Sequence, residues 1–183
     1  IKLMVGREVS DLYPHTPRQI GSPLLEVRGL QGSSKPSSVS FTVREGEILG
    51  VAGLIGAGRT ETLRAIFGLD PVAGGAVRID GEECTRTTPR DRWREGVGLL
   101  SENRKEEGLL LNRSIADNLL LTRMQPVTRY GIIRGSAVRH TALDWMGSLE
   151  VKAEDCHQPI HELSGGNQQK VAIGRLLYHQ ARI

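Results

Sequence analysis

Apolar residues occur in short runs that predict strands in the first part of the chain. In residues 39–43 (VSFTV), Val and Phe alternate with Ser and Thr, as expected for a half-buried strand. Residues 76–83 (AVRIDGEE) predict a hairpin that turns at Asp80 and Gly81. The strands predicted outside this hairpin are 24–30 (LLEVRGL), 39–43, 48–52 (ILGVA) and 97–100 (VGLL). Beyond residue 100 the pattern changes to a helical period.

Helical spacing and capping residues predict five helices. In the first of these, Leu63, Ile66 and Phe67 share one face, and Gly68 ends the helix. Three further starts carry a capping residue: Thr88 before Pro89, Ser114 with Asp117, and Ser164 before a helix over 165–178. The remaining helix has an apolar stripe formed by Val138, Ala142, Trp145, Met146 and Leu149. Core packing and a docking surface both explain the Trp145 and Met146 pair at this point.

Composition limits the classes of protein. The 183 residues are 38% hydrophobic and 25% charged, which suits one globular domain. No apolar run reaches the roughly 18 to 20 residues of a membrane helix. The two cysteines are too few for a disulfide framework, so we expect reduced thiols in an intracellular protein. The net charge of +3 suits a phosphate ligand, whereas 4% aromatic residues are too few for base stacking.

A glycine-rich segment follows the apolar run at 48–52. Residues 53–60 (GLIGAGRT) match the phosphate-binding loop pattern G-x-x-x-x-G-K-[ST], except that Arg59 replaces the lysine. Such a loop presents backbone N–H groups and the positive end of a helix dipole to an anion. Thr60 retains the hydroxyl that binds Mg²⁺, while a planar guanidinium cannot simply replace an ammonium. The alternative is a strand-to-helix turn without a ligand.

A second glycine motif, LSGGNQQK at residues 163–170, also begins a predicted helix. The two motifs together resemble the Walker A loop and the signature motif of an ATP-binding-cassette (ABC) ATPase. The segments GEILGVAGLIGAGRTE, GVGLLSENRKEEGLLL, SIADNLLL and LSGGNQQKVAIGR resemble the C-terminal cassette of tandem-cassette bacterial sugar importers of the ribose, xylose and galactose type. The opening MVGREVSDLYP resembles the linker between the cassettes of that group.

The resemblance implies roles for individual residues. The Walker A loop and the first acidic residue after it would bind nucleotide: Gly53, Leu54, Ile55, Gly56, Ala57, Gly58, Arg59, Thr60 and Glu61. The signature would bind the ATP of a partner cassette: Leu163, Ser164, Gly165, Gly166, Asn167 and Gln168. ATP and Mg²⁺ are the implied cofactors, with Thr60 as the metal ligand. Glu102 occupies the position of the Q-loop glutamine, and residues 24–40 lack the aromatic residue that stacks on adenine, so this nucleotide site departs from the family pattern.

The implied fold is α/β, a P-loop NTPase of the ABC ATPase type with an antiparallel β subdomain and a helical subdomain. Residues 1–23, with three prolines and no apolar period, would be an inter-cassette linker. A partial ABC domain would then comprise 24–111 with Walker A, a helical subdomain at 112–162, and the signature and its helix at 163–183. The Walker B strand would lie beyond Ile183, so we expect no catalytic carboxylate within the chain and no ATP hydrolysis by this fragment alone.

The implied function is ATP-driven carbohydrate import, with this cassette supplying an intact signature and a degenerate Walker A loop. The implied partners are an N-terminal cassette of the same polypeptide, membrane permease subunits and, indirectly, a periplasmic sugar-binding protein, at the cytoplasmic face of the bacterial inner membrane. No nucleic acid is expected. The alternatives are a soluble ABC-type ATPase acting on nucleic acid or ribosomes, and a P-loop kinase, which would leave LSGGNQQK unexplained. Cys156, His157 and His161 do not form a complete zinc set.

Overall fold

A computed structural model describes residues 18–84 and 88–183, except for the side chains of Arg104 and Lys105. Most of the predicted linker at 1–23, including its MVGREVSDLYP segment, lies outside the described residues. The strands are β1 (Pro23–Gly32), β2 (Val39–Arg44), β3 (Val72–Ile79), β4 (Glu82–Glu83), β5 (Thr128–Arg129) and β6 (Ile132–Ile133). The α-helices are α1 (Arg59–Phe67), α2 (Pro89–Arg94), α3 (Ile115–Leu120), α4 (Gly135–Ser148) and α5 (Gly165–His179). A π-helical turn at Arg104–Gly108 and 3₁₀ turns at Gln125–Val127 and Ile160–Glu162 connect them.

The main sheet is antiparallel, with the strand order β2-β1-β3-β4. Leu25 of the central strand β1 is opposite Val43 of β2 and Ile79 of β3. The predicted hairpin between β3 and β4 is confirmed. Asp80 and Gly81 have φ values of 52° and 80°, the left-handed conformation that a type I′ hairpin turn requires at both of its central positions.

One apolar core lies between this sheet and α1. The residues that form it alternate along β1 and β3 and lie on one face of α1, as the periodicity predicts. Its buried members are Leu25, Val27, Leu30, Ala65, Ile66, Phe67, Val77, Ile79 and Val97. Gly68 ends α1 in the left-handed conformation, with φ of 83°, as predicted. The sheet therefore supports α1, the helix that begins at the end of the glycine loop.

The strands predicted at 48–52 and 97–100 are wrong for this structure. Ile48 and Val51 are 75% and 50% exposed, and no backbone hydrogen bond joins 48–52 to another part of the described chain. A parallel strand obtains its hydrogen bonds from neighbouring strands, and none lies beside this segment among the described residues. The second run makes only a short pairing, in which Ile183 N–H donates to Gly96 O and Gly98 N–H to Ile183 O at 3.2 and 2.8 Å.

A second core lies within the helical part of the chain and includes α5. Ile115, Leu119, Met146, Ile160 and Val171 are buried in it, and Trp145 packs against it. Trp145 also meets Tyr178 edge-on, with ring centroids 5.9 Å apart, so the stripe on α4 packs into this core. None of the described helices has both the length and the apolar content needed to cross a bilayer.

Close helix packing in this core depends on Gly174 in α5. A Cβ atom at this position would lie 2.4 Å from Leu149 Cδ1 and 2.8 Å from Leu119 Cδ2. α5 therefore approaches α3 and the end of α4 at a distance that a larger residue would not permit.

A buried amide joins α3 to the segment that precedes it. Asn118 has no exposed surface, and its Oδ1 accepts from Leu110 N–H at 2.8 Å. Its Nδ2 donates to Leu110 O and to Ser114 O, each at 3.0 Å. The predicted capping box at the start of α3 is confirmed, because Ser114 Oγ accepts from Asp117 N–H and Asp117 accepts from Ser114 N–H.

Candidate functional site

The glycine loop at 53–60 leads from the irregular segment at 48–52 into α1. Gly56 and Gly58 have φ values of 78° and 92°, so both need the left-handed region that glycine enters without steric cost. Ile55 at the tip is fully exposed. In the first turn of α1, Thr62 N–H donates to Gly58 O at 2.9 Å, and Thr62 Oγ1 donates to the same oxygen at 2.6 Å. The two left-handed glycines therefore form an exposed turn that leads into the N-terminus of α1.

Arg59 is the first helical residue and is exposed. Its stem lies back over the loop, since its Cδ is 3.8 Å from where a Cβ on Gly53 would be. Its guanidinium makes no hydrogen bond or ion pair with any residue that the structure describes. Within the part of the chain that the structure describes, Arg59 therefore contributes a positive charge beside the loop that no carboxylate pairs with.

The structure brings Thr60 and Glu102 to the same cavity, which has a volume of about 570 Å³. Glu61, in the first turn of α1, lies in its wall as well. The other lining residues are Arg64, Asp70, Ser101, Asn103 and Glu107. The hydroxyl expected to bind Mg²⁺ and the carboxylate at the Q-loop position thus border one space, and hydroxyl and carboxylate oxygens are suitable ligands for that ion.

Arg64 connects the two sides of this cavity, a role that our sequence analysis missed. Its guanidinium donates to both Asp70 carboxylate oxygens at 3.0 to 3.1 Å and to Glu107 Oε1 at 2.8 Å. Hydrogen bonding to Asp70 raises the pKa of Arg64. Glu107 in turn accepts from Ser101 Oγ at 2.8 Å. Arg64 therefore ties α1 to the segment that carries Glu102. Its spacing, four residues after Thr60 on the same helix, was a signal for a shared face.

The signature motif begins α5, with its residues in two different environments. Leu163 and Gln168 are buried, and Gln168 Nε2 donates to Ile160 O and Leu163 O at 3.1 Å each, so these two residues hold the helix start in place. Ser164 and Gly166 are exposed, and a Cβ on Gly166 would meet no atom within 4 Å. The exposed pair leaves the N-terminus of α5 open to a ligand.

Ser164 is at the N-cap of α5, but the expectation that its side chain caps the helix is wrong. No backbone N–H donates to its hydroxyl, which instead accepts from Asn167 Nδ2 at 3.1 Å. Asn167 Oδ1 accepts from Lys152 N–H at 3.1 Å. The side chain of Asn167 thus attaches the signature to the loop after α4, and the N–H groups at the start of α5, including those of Gly165 and Gly166, have no side-chain cap.

The other end of α5 contacts α2, the π-helical turn and the segment that follows α3. Arg175 donates to Gly108 O, and burial lowers its pKa. The two ring nitrogens of His179 lie 3.1 Å from Thr122 O and 2.8 Å from Trp93 O. The imidazole also packs on the Trp93 indole, with ring centroids 4.3 Å apart. α5 therefore spans the distance between the signature and the elements beside Glu102.

The residues considered as zinc ligands are only partly brought together. Ligand atoms of Asp155, Cys156 and His157 lie within 4.8 Å of one another, whereas His161 Nδ1 is bonded to Leu111 O at 3.2 Å. Cys156 is fully buried, and this burial raises its pKa. The backbone N–H of His157 lowers the pKa of Asp155. Asp155 also pairs with Arg139 at 2.7 Å, so its carboxylate is satisfied by local contacts, as in an ordinary loop.

Comparison with known proteins gives a family match and several relatives. The family model described as "ABC transporter" matches residues 36–183. The uncharacterized ABC transporter ATP-binding protein YphE of Escherichia coli K12 is 42% identical over 184 residues, which cover 100% of this chain and 37% of that protein. The ribose import ATP-binding protein RbsA 3 of Rubrobacter xylanophilus is 43% identical over 183 residues, with the same coverage. The chain thus spans little more than a third of the length of these relatives.

The solved structures that resemble the chain share its fold. The ATP-binding cassette MJ0796, in a dimeric post-hydrolysis state bound to ADP and Pi, superposes with a TM-score of 0.67 at 22% identity, covering 85% of this chain and 70% of that one. A nucleotide-free ATP-binding cassette from an ABC transporter gives a TM-score of 0.68 at 19% identity, covering 87% and 66%. The sheet and helices described above are therefore those of an ABC ATPase cassette.

Proposed function

The chain belongs to the ABC transporter family, and from this membership we propose that it forms part of the ATP-binding subunit of a bacterial carbohydrate importer. Relatives that match its whole length include proteins named as ribose import ATP-binding proteins. A ribose-type sugar is accordingly the substrate class that we propose for the assembled transporter.

One observation carries this proposal. The same chain has a glycine loop that opens at the start of α1 and a signature that opens at the start of α5. Each places backbone N–H groups at the positive end of a helix, where they can bind phosphate. In an ABC ATPase, the glycine loop of a cassette binds that cassette's own ATP, and its signature binds the ATP held by the partner cassette. A simple P-loop enzyme needs only the first of these motifs.

We propose that the glycine loop binds the phosphates of a nucleotide through backbone N–H groups at the N-terminus of α1. The loop residues fit an anion, because left-handed glycines form an exposed turn beside the cationic Arg59. Thr60, and Glu102 across the cavity, are the oxygen donors available to Mg²⁺. When bound, that ion would neutralise phosphate charge. Because Glu102 has a carboxylate where the family pattern has the amide of the Q-loop glutamine, we propose that this site is regulatory or hydrolyses ATP only weakly.

The signature of this chain would serve the ATP held by a second cassette. Ser164 and the N–H groups of Gly165 and Gly166 form an uncapped, exposed helix start. Donors that are fixed in place before the reaction stabilise the charge that develops during phosphoryl transfer. The partners in this proposal are an N-terminal cassette of the same polypeptide, membrane permease subunits and, through them, a periplasmic sugar-binding protein. Its location would be the cytoplasmic face of the bacterial inner membrane.

Two substitutions in the full-length transporter test this division of roles. Ser164→Arg places a bulky cation in the open signature and should abolish ATPase activity and sugar uptake. Arg59→Ala should reduce both by no more than about threefold, because the backbone of the loop remains. Arg90→Met changes an exposed side chain outside both motifs and serves as the control. Equal losses from the Ser164 and Arg59 substitutions would refute the asymmetric arrangement.

A further inference from the structure

A lysine from a neighbouring loop lies against the glycine loop. Residues 33–38 connect β1 to β2, and Gly32 N–H donates to Pro36 O at 2.9 Å, which closes this connection into a tight turn. Lys35 in the turn donates through Nζ to Gly56 O. Its Cβ is 3.3 Å from where a Cβ on Gly58 would be. The side chain of Lys35 therefore extends along the glycine loop from Gly58 towards Gly56.

The space beside this lysine carries positive charge without acidic residues. Lys35 and Arg59 line one cavity of about 440 Å³. The rest of its wall is formed by Ser34, Pro36, Ser37, Ser38, Val39, Phe41, Val51, Ala52, Ala57, Gly58 and Thr62. Two cations, three serine hydroxyls and the N-terminal end of α1 thus surround a space whose described lining includes no carboxylate.

Neither cation is neutralised by a carboxylate among the residues that the structure describes. The ammonium of Lys35 instead uses a backbone carbonyl, which is an uncharged acceptor. A charge-assisted hydrogen bond to an anion is stronger than one to a neutral carbonyl. An arriving phosphate would therefore be a better partner for the ammonium than Gly56 O.

We propose that Lys35 supplies the ammonium that the glycine loop lacks at position 59. The inference rests on the proposed nucleotide binding at this loop and names a further residue for it. A lysine ammonium is a compact charge on a flexible four-carbon stem, so it can leave Gly56 O and donate to a phosphate oxygen without movement of the backbone. The guanidinium of Arg59 then adds a second cation from the helix side of the same cavity. The phosphate-binding lysine has thus been relocated from the loop to the β1–β2 turn.

Nucleotide affinity in the full-length protein tests this assignment, with MgATP as the probe in a calorimetric titration. The N-terminal cassette is first disabled by replacing its own Walker A lysine, so that the titration reports this loop. Lys35→Met retains most of the stem but loses the charge, and should weaken binding about tenfold. Arg90→Met, at an exposed cation outside the cavities that the glycine loop borders, should leave the affinity within twofold. Lys35→Gln is the second variant, and circular dichroism checks that both remain folded.

A double-mutant cycle separates relocation from a general charge effect. Arg59→Lys restores an ammonium within the loop, so in this background Lys35→Met should weaken binding less than twofold. A tenfold loss in both backgrounds, or no loss in either, overturns the relocation of the lysine. If the unaltered protein binds MgATP and Lys35→Met binds equally well, only this inference fails. If the unaltered protein binds no MgATP at this loop, the proposed nucleotide site fails and the inference fails with it.

Discussion

Replacing Asn118 by Asp changes one buried atom and tests the network that holds α3 to residue 110. The two side chains have nearly the same size and shape, so packing in the helical core is retained. An Asp oxygen can still accept from Leu110 N–H, but the other oxygen then faces two carbonyl oxygens that Nδ2 now satisfies. The substitution therefore isolates hydrogen bonding from cavity formation.

The cost can be worked from these contacts. Two lost hydrogen bonds are worth about 1 kcal/mol each. A carboxylate at a position with no exposed surface must remain ionised without a counter-charge or take up a proton at neutral pH, which adds about 2 kcal/mol or more. The total of about 4 kcal/mol should lower the melting temperature by about 12 °C in a protein of this size. At lower pH the protonated carboxyl regains one donor, so the loss should become smaller.

Circular dichroism melts at two pH values measure the effect. Asn112→Asp is the matched control, because Asn112 is exposed, and it should change the melting temperature by no more than about 2 °C. A loss from Asn118→Asp as small as that of the control would refute the reasoning. A loss that grew as the pH fell would also refute it.

Three further substitutions test other contacts. Gly174→Ala should destabilise the protein by about 1 kcal/mol in urea unfolding, because the added Cβ would overlap two leucine side chains. A Cβ on Gly147 would meet no atom within 4 Å, so Gly147→Ala should stabilise the protein by up to about 1 kcal/mol. Two effects of the same sign would contradict the packing argument. Arg64→Gln should accelerate hydrogen exchange across 101–108, and unchanged exchange would show that another contact holds the segment. Because the pKa of Asp155 is lowered in the fold, its carboxylate stabilises the protein above about pH 4 and loses this effect at lower pH. The difference in stability between the unaltered protein and Asp155→Asn should therefore shrink between about pH 5 and pH 3. A constant difference would be evidence against this role.

Local sequence signals predicted the elements whose geometry is set within a few residues. The Thr88 cap is confirmed because the hydroxyl and the N–H that it satisfies are three residues apart. The Asp80 and Gly81 turn and the capping box at Ser114 belong to the same class. In each case the partner is encoded beside the residue that needs it.

Signals that depend on distant partners were less informative. The apolar runs at 48–52 and 97–100 have the composition of strands, but a strand forms only where another strand provides its hydrogen bonds. The Ser164 hydroxyl accepts from Asn167 instead of from a backbone N–H, and Asn167 is tied to a loop fifteen residues away. The contact of Lys35 with the glycine loop joins residues 21 apart and depends on the β1–β2 turn. No periodicity in the sequence records such a pairing.

The helix α5 links the signature to the segment that carries Glu102, and so links the two motifs that we propose to bind nucleotide. Its first turn carries the signature, and its last turns are fixed to Gly108, Thr122 and Trp93. If both motifs bind nucleotide as proposed, a shift of the signature that moves α5 as one rigid element would also move the support of the segment that carries Glu102. Binding of nucleotide at the glycine loop and binding of ATP at the signature would then be linked by a coupling free energy, and thermodynamic linkage requires this coupling to be reciprocal. Nucleotide at the glycine loop would change the affinity of the signature for its ATP by the same factor as the reverse.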